Sequence, residues 1–355
     1  MFYLFLGLIF IVVLFNVLYI ISKFKELSFI KNLKEKNKKI YYILIIVFFS
    51  ILVLFLAIDL INTFVVYFHF LIFSILIDLL FKLFKKSTNN LAFIISIIVT
   101  LSYMGYGLYS AYNVRETIYN LKTNKDIELK VAQISDSHIG TTFNGYEFKK
   151  YIEEIANKKP DLLVITGDFV DDSTTKKDMI KACEAFKDLN LKYGVYFIFG
   201  NHDKGYFDHD FTENDLRENL VKNDVKILED QYINIGDNAI LVGRQDRKEK
   251  TRKNAFELLD YLDDNKYIIV LDHEPNDYEI LSKTKADLVL SGHTHGGQMI
   301  PLGQVGLVLG SNDMVYGHEK RNNTDFIVSS GISSWSLKFK TGTISEYVII
   351  NISNN

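Results

Sequence analysis

The sequence predicts an α/β domain preceded by an all-α bundle of about four transmembrane helices. Three observations lead there. The long apolar runs fall almost wholly within the first 114 residues. Beyond them, short apolar runs alternate with helix-patterned segments, the signature of an α/β fold. Polar strings rich in His and Asp each follow one of those short runs, and α/β folds mount functional side chains on the loops beyond strand ends. At 355 residues the chain has room for both parts. Residues 1–114 are therefore read as a transmembrane helical region and 115–355 as a separate domain.

Residues 1–21 are uncharged and long enough to cross a bilayer, which takes about 20 apolar residues. A secretory signal would have basic residues ahead of its apolar run and a small-residue cleavage site. Here the lysines follow the run. Residues 40–81 are interrupted only by Asp59 and Asp78. As one helix they would extend about 60 Å, twice the ~30 Å hydrocarbon core. Two spans are expected instead, 40–60 and 63–81, with a tight turn near Ile61-Asn62-Thr63. Residues 91–114 make the fourth. Ionisable groups inside a span are functional candidates by default. For Asp59, His69 and Asp78 the structural reading is preferred to a transport role, because both carboxylates lie near span ends and a neutral His can hydrogen-bond within a bundle.

Orientation follows the basic residues. The loop after the first span holds Lys23, Lys25, Lys31, Lys34, Lys36, Lys38 and Lys39, and the loop after the third holds Lys82, Lys85 and Lys86. The turn between the second and third spans holds none. Both lysine-bearing loops are expected on the cytoplasmic side. With four spans, the domain beyond residue 114 then lies outside the cytoplasm, on a multi-pass protein of the plasma membrane. A net charge of −3 gives no signature of nucleic-acid binding. The single cysteine, Cys183, excludes an intramolecular disulfide.

In the second part, residues 129–135, 161–166, 193–199, 267–271 and 287–290 read as strands. Residues 146–157 and 176–189 read as helices, the latter with Ala182, Ala185, Phe186 and Leu189 near one face. Five strings stand at the ends of these strands: Asp136-Ser137-His138, Gly167-Asp168, Gly200-Asn201-His202-Asp203, His273, and Gly292-His293-Thr294-His295. The chain has eight His, and these strings hold five of them. His209 and His318 fit no slot in the pattern and are read as surface residues.

Asp-x-His or Gly-Asp alone is common in turns and carries little. The ordered set, each member at a strand end, is specific. Imidazole, carboxylate and amide donors together suit divalent manganese, iron or zinc, and the lack of thiolates argues against a structural zinc site. Two such ions about 3.5–4 Å apart, sharing a carboxylate, neutralise a phosphoryl group and acidify a water.

The five strings resemble the pattern of the calcineurin-like metallophosphoesterase superfamily. The continuation Gly296-Gly297-Gln298 resembles its membrane-associated, YkuE-like members. That resemblance implies a four-layer αββα sandwich. It implies that Asp136, His138, Asp168 and His295 hold one divalent metal ion, with Asp168 bridging, and that Asn201, His273 and His293 complete the second site. His202 is similar to the family histidine that stabilises the transition state or protonates the leaving oxygen, with Asp203 orienting its ring. The purple acid phosphatases place a Tyr ligand three residues after the bridging Asp. Asp171 stands there in this chain, so no ferric–tyrosinate centre is expected.

The expected function is a membrane-anchored, dinuclear metal-dependent phosphoesterase, acting on a phosphodiester or related phosphoester of a lipid or envelope-linked substrate. The alternatives are a UDP-acyl-sugar pyrophosphate hydrolase and a non-catalytic metal-binding scaffold or sensor. Scaffolds in this superfamily usually lose ligands, and this chain keeps all of them. The lipid bilayer and a phosphoester substrate are the partners the sequence implies, and it gives no sign of a protein partner. The segments 141–146, 204–213 and 244–252 carry no motif that identifies the substrate. Topology is open to direct test. With Cys183 replaced by Ser and one cysteine placed at Lys248, an impermeant thiol reagent should label intact cells. Labelling that appears only after permeabilisation refutes the external assignment.

Overall fold

A computed structural model of the chain describes residues 2–84, 89–187, 189–205, 210–300 and 302–355. It divides into two compact units, Met1–Tyr106 and Gly107–Asn355.

The first unit is helical: α1 (Phe2–Lys25), α2 (Ser28–Lys36), α3 (Lys38–Ile58), α4 (Leu60–Leu83) and most of α5 (Asn89–Tyr112). Among the described residues, three helices are long and apolar enough to cross a membrane: Lys38–Ile58, Leu60–Leu83 and Asn90–Tyr112. The expected first span, 1–21, falls in α1. Its opening residue lies outside the described set, and a fourth span stays an expectation of the sequence. Lys85 and Lys86, counted in the orientation argument, also lie outside the described residues.

The break between α3 and α4 differs from the expectation. It falls at Asp59, not at Ile61-Asn62-Thr63. Asp is a strong N-cap because its carboxylate can accept the orphan N–H groups of the first turn. Asp59 Oδ1 accepts from Asn62 N at 3.1 Å, so Asn62 and Thr63 belong to the first turn of α4. The other two ionisable groups of these apolar helices are also used structurally. Asp78 pairs with Lys23. His69 Nδ1 lies 2.8 Å from Val65 O, and its ring stacks on Tyr103. Val17, Ile20, Ile21, Leu52, Tyr67 and Phe70 form the centre of the bundle.

The second unit begins within α5, earlier than the 114/115 boundary expected from sequence. Lys340 N donates to Gly107 O and Ser345 N to Ser110 O, both at 2.9 Å. Ser345 Oγ donates to Ala111 O at 2.7 Å. A Cβ at position 107 would lie 2.8 Å from Thr341 Cγ2, so glycine permits this close approach.

Twelve strands and six helices follow: β1 (Arg115–Thr123), β2 (Glu128–Ile134), α6 (Gly145–Asn157), β3 (Leu162–Thr166), α7 (Lys176–Glu184), β4 (Gly194–Ile198), α8 (Glu213–Lys222), β5 (Val225–Ile227), β6 (Gln231–Ile235), β7 (Ala239–Gly243), α9 (Ala255–Leu259), β8 (Tyr267–Leu271), α10 (Tyr278–Leu281), β9 (Leu288–Ser291), α11 (Val305–Val308), β10 (Gly317–Arg321), β11 (Thr324–Val328) and β12 (Glu346–Asn354). They form two six-stranded sheets, ordered β1-β12-β2-β3-β4-β5 and β10-β11-β9-β8-β7-β6. β2, β3, β4 and β5 run parallel in the first sheet, and β7, β8, β9 and β11 run parallel in the second.

Side chains alternate across a strand, so a strand buried on both faces reads as a continuous apolar run. In β3, Leu163 and Ile165 join Phe148, Ile152 and Phe186 under α6 and α7. Leu162 and Val164 face the other way, meeting Ile269, Leu271, Leu288 and Leu290 of the second sheet. In β8, Ile268 and Val270 pack with Leu258, Leu259, Tyr278 and Leu281 of α9 and α10. Helix, sheet, sheet and helix therefore follow in four layers, the αββα sandwich that the resemblance implied. The expected helix 176–189 stops at Glu184.

Candidate metal centre

All five strings meet at the carboxyl ends of β2, β3, β4, β8 and β9, where the parallel strands of the two sheets present their loops to one another. The ladders extend into the ligand loops. Asp136 N donates to Gly167 O at 3.0 Å, His138 N to Asp168 O at 3.1 Å, and Gly292 N to His273 O at 3.0 Å. Five of the seven candidate ligands sit in the left-handed region: Asp136 (φ 51°), His138 (35°), Asp168 (52°), His293 (68°) and His295 (51°). Such a residue costs on the order of 1–3 kcal/mol and persists where its surroundings over-determine it. Here the reversed backbone turns each side chain inward as soon as its strand ends.

Potential ligand atoms converge in overlapping groups: Asp136, His138 and His295; Asp168, His273 and His293; and His138, Asp171 and His202. Asp168 joins the first two groups. Its Oδ2 lies 3.1 Å from His273 Nε2 and 3.8 Å from His138 Nε2. His138 Nε2 and His295 Nε2 point at each other across 3.1 Å, and His295 Nε2 lies 3.6 Å from Asp136 Oδ1. Asn201 Oδ1, His293 Nδ1 and His295 Nδ1 are buried with no hydrogen-bond partner among the described residues. Buried acceptors are normally paired. An orphaned amide oxygen and orphaned ring nitrogens beside two carboxylates fit a divalent cation.

Holders outside the ligand set orient several members. His138 Nδ1 lies 3.0 Å from Asp171 Oδ2, which leaves Nε2 for the site. His273 Nδ1 lies 2.8 Å from Thr166 O and does the same. Asp136 accepts from His293 N at 2.9 and 3.1 Å. Asp168 Oδ1 accepts from His202 N at 2.9 Å.

Burial opposes charge throughout, and the facing charges decide the balance. His273 and His138 overcome burial and hold the Asp168 carboxyl well below the usual range. Asp168 and Asp136 likewise hold His273 well above its ordinary value. A divalent cation binds only the deprotonated form of such donors, so its affinity would depend on pH. Burial pushes His202 and His293 down to about 4, with the neighbouring imidazoles adding to the effect.

Asp203 departs from its expected role. Its carboxylate is committed to backbone N–H groups, accepting from Phe169 at 2.8 Å, Val170 at 3.1 Å and Gly200 at 2.9 Å. It clamps the Asp168 loop to the Asn201 loop. His202 Nδ1 is 3.8 Å from Asp172 Oδ1, and the ring lies edge-on to Trp335 and His138.

Sequence reasoning missed other contributors. Asp171 was noted only as the place where a Tyr was absent. Asp272, beside His273, takes Arg244 Nη1 at 2.6 Å and Arg252 Nη2 at 2.8 Å. Lys340 is wholly buried and donates to Ser330 O at 2.7 Å and Gly331 O at 3.1 Å, directly behind Asp136. Burial pushes its ammonium down to about 7. The Ser329–Ser333 stretch thereby acquires a place as the backing of the Asp136 loop. Sequence distance hid Lys340, whereas Asp171 and Asp272 adjoin the strings and only their contacts single them out. His318 lies on β10, 2.7 Å from Asp325, and His209 lies outside the described residues.

An αββα sandwich with clustered His, Asp and Asn donors at its strand ends defines a metal-dependent phosphoesterase class. Residues 129–297 match the calcineurin-like phosphoesterase family model. It is 32% identical to a metallophosphoesterase of Campylobacter jejuni over 231 residues, 63% of this chain and 59% of the relative. It is 29% identical to the metallophosphoesterase YkuE of Bacillus subtilis over 48% of this chain and 59% of that one. It is 26% identical to a Danio rerio transmembrane protein with a metallophosphoesterase domain, over 59% of this chain and 51% of that one. The chain thus spans between half and three-fifths of the length of these three relatives.

Carboxylates that orient a metal-ligating His typically contribute 10–100-fold in affinity. Asp171→Asn should therefore weaken metal retention by roughly that factor while leaving the melting curve of the folded chain nearly unchanged. Equilibrium dialysis followed by elemental analysis measures it, and unaltered affinity would remove Asp171 from the holding role.

Proposed function

We propose that the chain is a membrane-anchored phosphoester hydrolase that works with two divalent ions. In this reading its substrate is a phosphodiester or related phosphoester, lipid- or envelope-linked, met outside the cytoplasm. The observation that carries the reading is the position of Asp168, with one carboxylate oxygen between His273 of one ligand group and His138 of the other. Asp136, His138, Asp168 and His295 would hold one ion, and Asp168, Asn201, His273 and His293 the other. Manganese, iron and zinc suit these nitrogen and oxygen donors. The one thiol, Cys183, is buried in the core beneath the helices and is no candidate ligand.

When bound, such a pair neutralises the phosphoryl oxygens and brings the pKa of a water toward neutrality. The chain's own residues do the positioning. Asp171 and Thr166 O fix which nitrogen His138 and His273 present. His202 is not needed as a ligand in this assignment. In this reading its ring would donate to a phosphoryl or leaving oxygen. Trp335 covers one edge of that ring.

Elemental analysis of the metal-reconstituted full chain should give two ions, and Asp168→Asn should lower occupancy at both sites. A single ion in the fully loaded protein would overturn the dinuclear reading. The same preparation, assayed on phosphomonoesters, phosphodiesters and nucleotide-sugars, identifies the substrate class.

His202→Ala should keep wild-type metal content. It should lower turnover of a diester with a poor leaving group by roughly 10²–10⁴, the usual size of a general-acid contribution. An activated aryl leaving group should suffer less. Full-rate turnover of both substrates by the variant would take His202 out of the chemistry.

A further inference from the structure

The strand-end ligand His295 is followed by an unusual segment. Residues 296–312 contain no charged side chain. Within them Ile300, Leu307, Val308 and Leu309 are 56%, 39%, 82% and 75% exposed. Val308 and Leu309 lie at and just beyond the end of the short helix α11. Scattered exposed apolar residues are ordinary on a protein surface, but a contiguous, uncharged apolar projection marks a contact surface.

Its anchorage points to the partner. Ile300 N donates to Thr341 Oγ1 at 3.1 Å, and Thr341 N to Gln298 O at 2.9 Å. The adjoining Lys340 and Ser345 bind Gly107 O and Ser110 O of the second unit's own stretch of α5. So one segment, 340–345, holds the base of the apolar loop with one set of hydrogen bonds and the end of α5 with another. That end terminates Asn90–Tyr112, a helix long and apolar enough to cross a membrane. Tyr109 and Tyr112 on it are about half exposed, 53% and 45%. Tyrosines gather at the headgroup level of membrane-crossing helices. One segment thus ties the base of the loop to the last residues of that helix.

We propose that the loop between His295 and Asp313 is a membrane-contacting element, which seats Ile300 and Leu307–Leu309 in the headgroup–acyl boundary beside the metal centre. Gln298 connects this element to the site. Its Nε2 donates to Trp335 O at 3.1 Å and Leu337 O at 2.9 Å, and the Trp335 ring is 5.6 Å from that of His202. The centre then opens beside the bilayer surface and receives substrate from it. The membrane contact holds whether or not the ester cleaved belongs to a lipid.

Trp335 is the only tryptophan, which makes the test clean. The full chain carrying Trp335→Phe and Val308→Trp is reconstituted into vesicles of phosphatidylcholine and phosphatidylglycerol, with or without dibrominated phosphatidylcholine. The result expected is blue-shifted emission that brominated lipid strongly quenches. Ile98→Trp in the same background, on an exposed face of α5, verifies reconstitution by its own quenching. Water-like emission from position 308, unquenched while position 98 is quenched, overturns the proposal. So does blue-shifted emission that ignores brominated lipid and rises with protein density, which would assign the loop to a second copy of the chain. Val308→Asp with Leu309→Asp, both exposed and free to carry charge without disturbing the core, should fold as wild type. Hydrogen exchange of 300–309 in vesicles should then rise toward its detergent value in this variant. Exchange in vesicles equal to wild type would also overturn the proposal.

Discussion

The structure depends on one electrostatic constraint: two carboxylates and four imidazoles must be held, almost dry, within a few ångströms of one another. Asp168 is its centre, since its Oδ2 lies 3.1 Å from His273 Nε2 and 3.8 Å from His138 Nε2. No single loop can deliver these donors. Five strand ends do so because the parallel strands of the two sheets present their carboxyl ends to the same spot. Close approach then dictates residue choice at the strand ends. A Cβ at Gly200 would strike the Asp168 carboxylate, and one at Gly292 would strike Ser135 and Asp136. The glycines ahead of the ligands are as much part of the site as the ligands, because the neighbouring loop occupies the volume a side chain would need.

Much of this was legible in the sequence, for a physical reason. Strands buried on both faces write uninterrupted apolar runs, so β3 and β8 could be placed to within about a residue. Polar strings immediately after such runs have few structural explanations, and they drew attention to the seven residues that the family resemblance then put forward as ligands. The elements left unread were of other kinds. β1 (Arg115–Thr123) and β10 (Gly317–Arg321) are partly exposed and polar, and carry no apolar run to see. β12 (Glu346–Asn354) returns from the far end of the chain to pair between β1 and β2, a long-range choice that local pattern cannot reveal. The two sheets and their packing came from family resemblance, since periodicity gives the faces of a strand and not its neighbours.

The helical part shows the same division. Apolar length located three of the helices, yet the break between α3 and α4 was misplaced by two or three residues. Asn and Thr look like turn formers in sequence. The capping geometry of Asp59 shows that here they are the first turn of a helix. Asp78 was placed near a span end, but its partner Lys23 lies 55 positions earlier. The amphipathic α2 (Ser28–Lys36) was invisible inside a loop read only for its charge.

The buried polar residues outside the ligand set explain how the strained centre keeps its shape. Five candidate ligands occupy backbone conformations that cost free energy, and nothing about a lone ligand loop would hold it there. Each loop has its own holder. Asp203 ties together the loops after β3 and β4 through three backbone N–H groups. Arg244 and Arg252 fix Asp272 beside His273. Lys340, without exposure, fastens the 330–331 turn behind Asp136. Burying these charges is costly unless each is fully hydrogen-bonded, and an apolar core of equal volume would stabilise the fold at least as well. What apolar contacts lack is direction. A hydrogen bond to a named backbone group fixes a loop within tenths of an ångström, which is the tolerance a cluster of converging donors demands. The holders are therefore part of the functional design, and their loss should loosen the ligand geometry before it unfolds the domain.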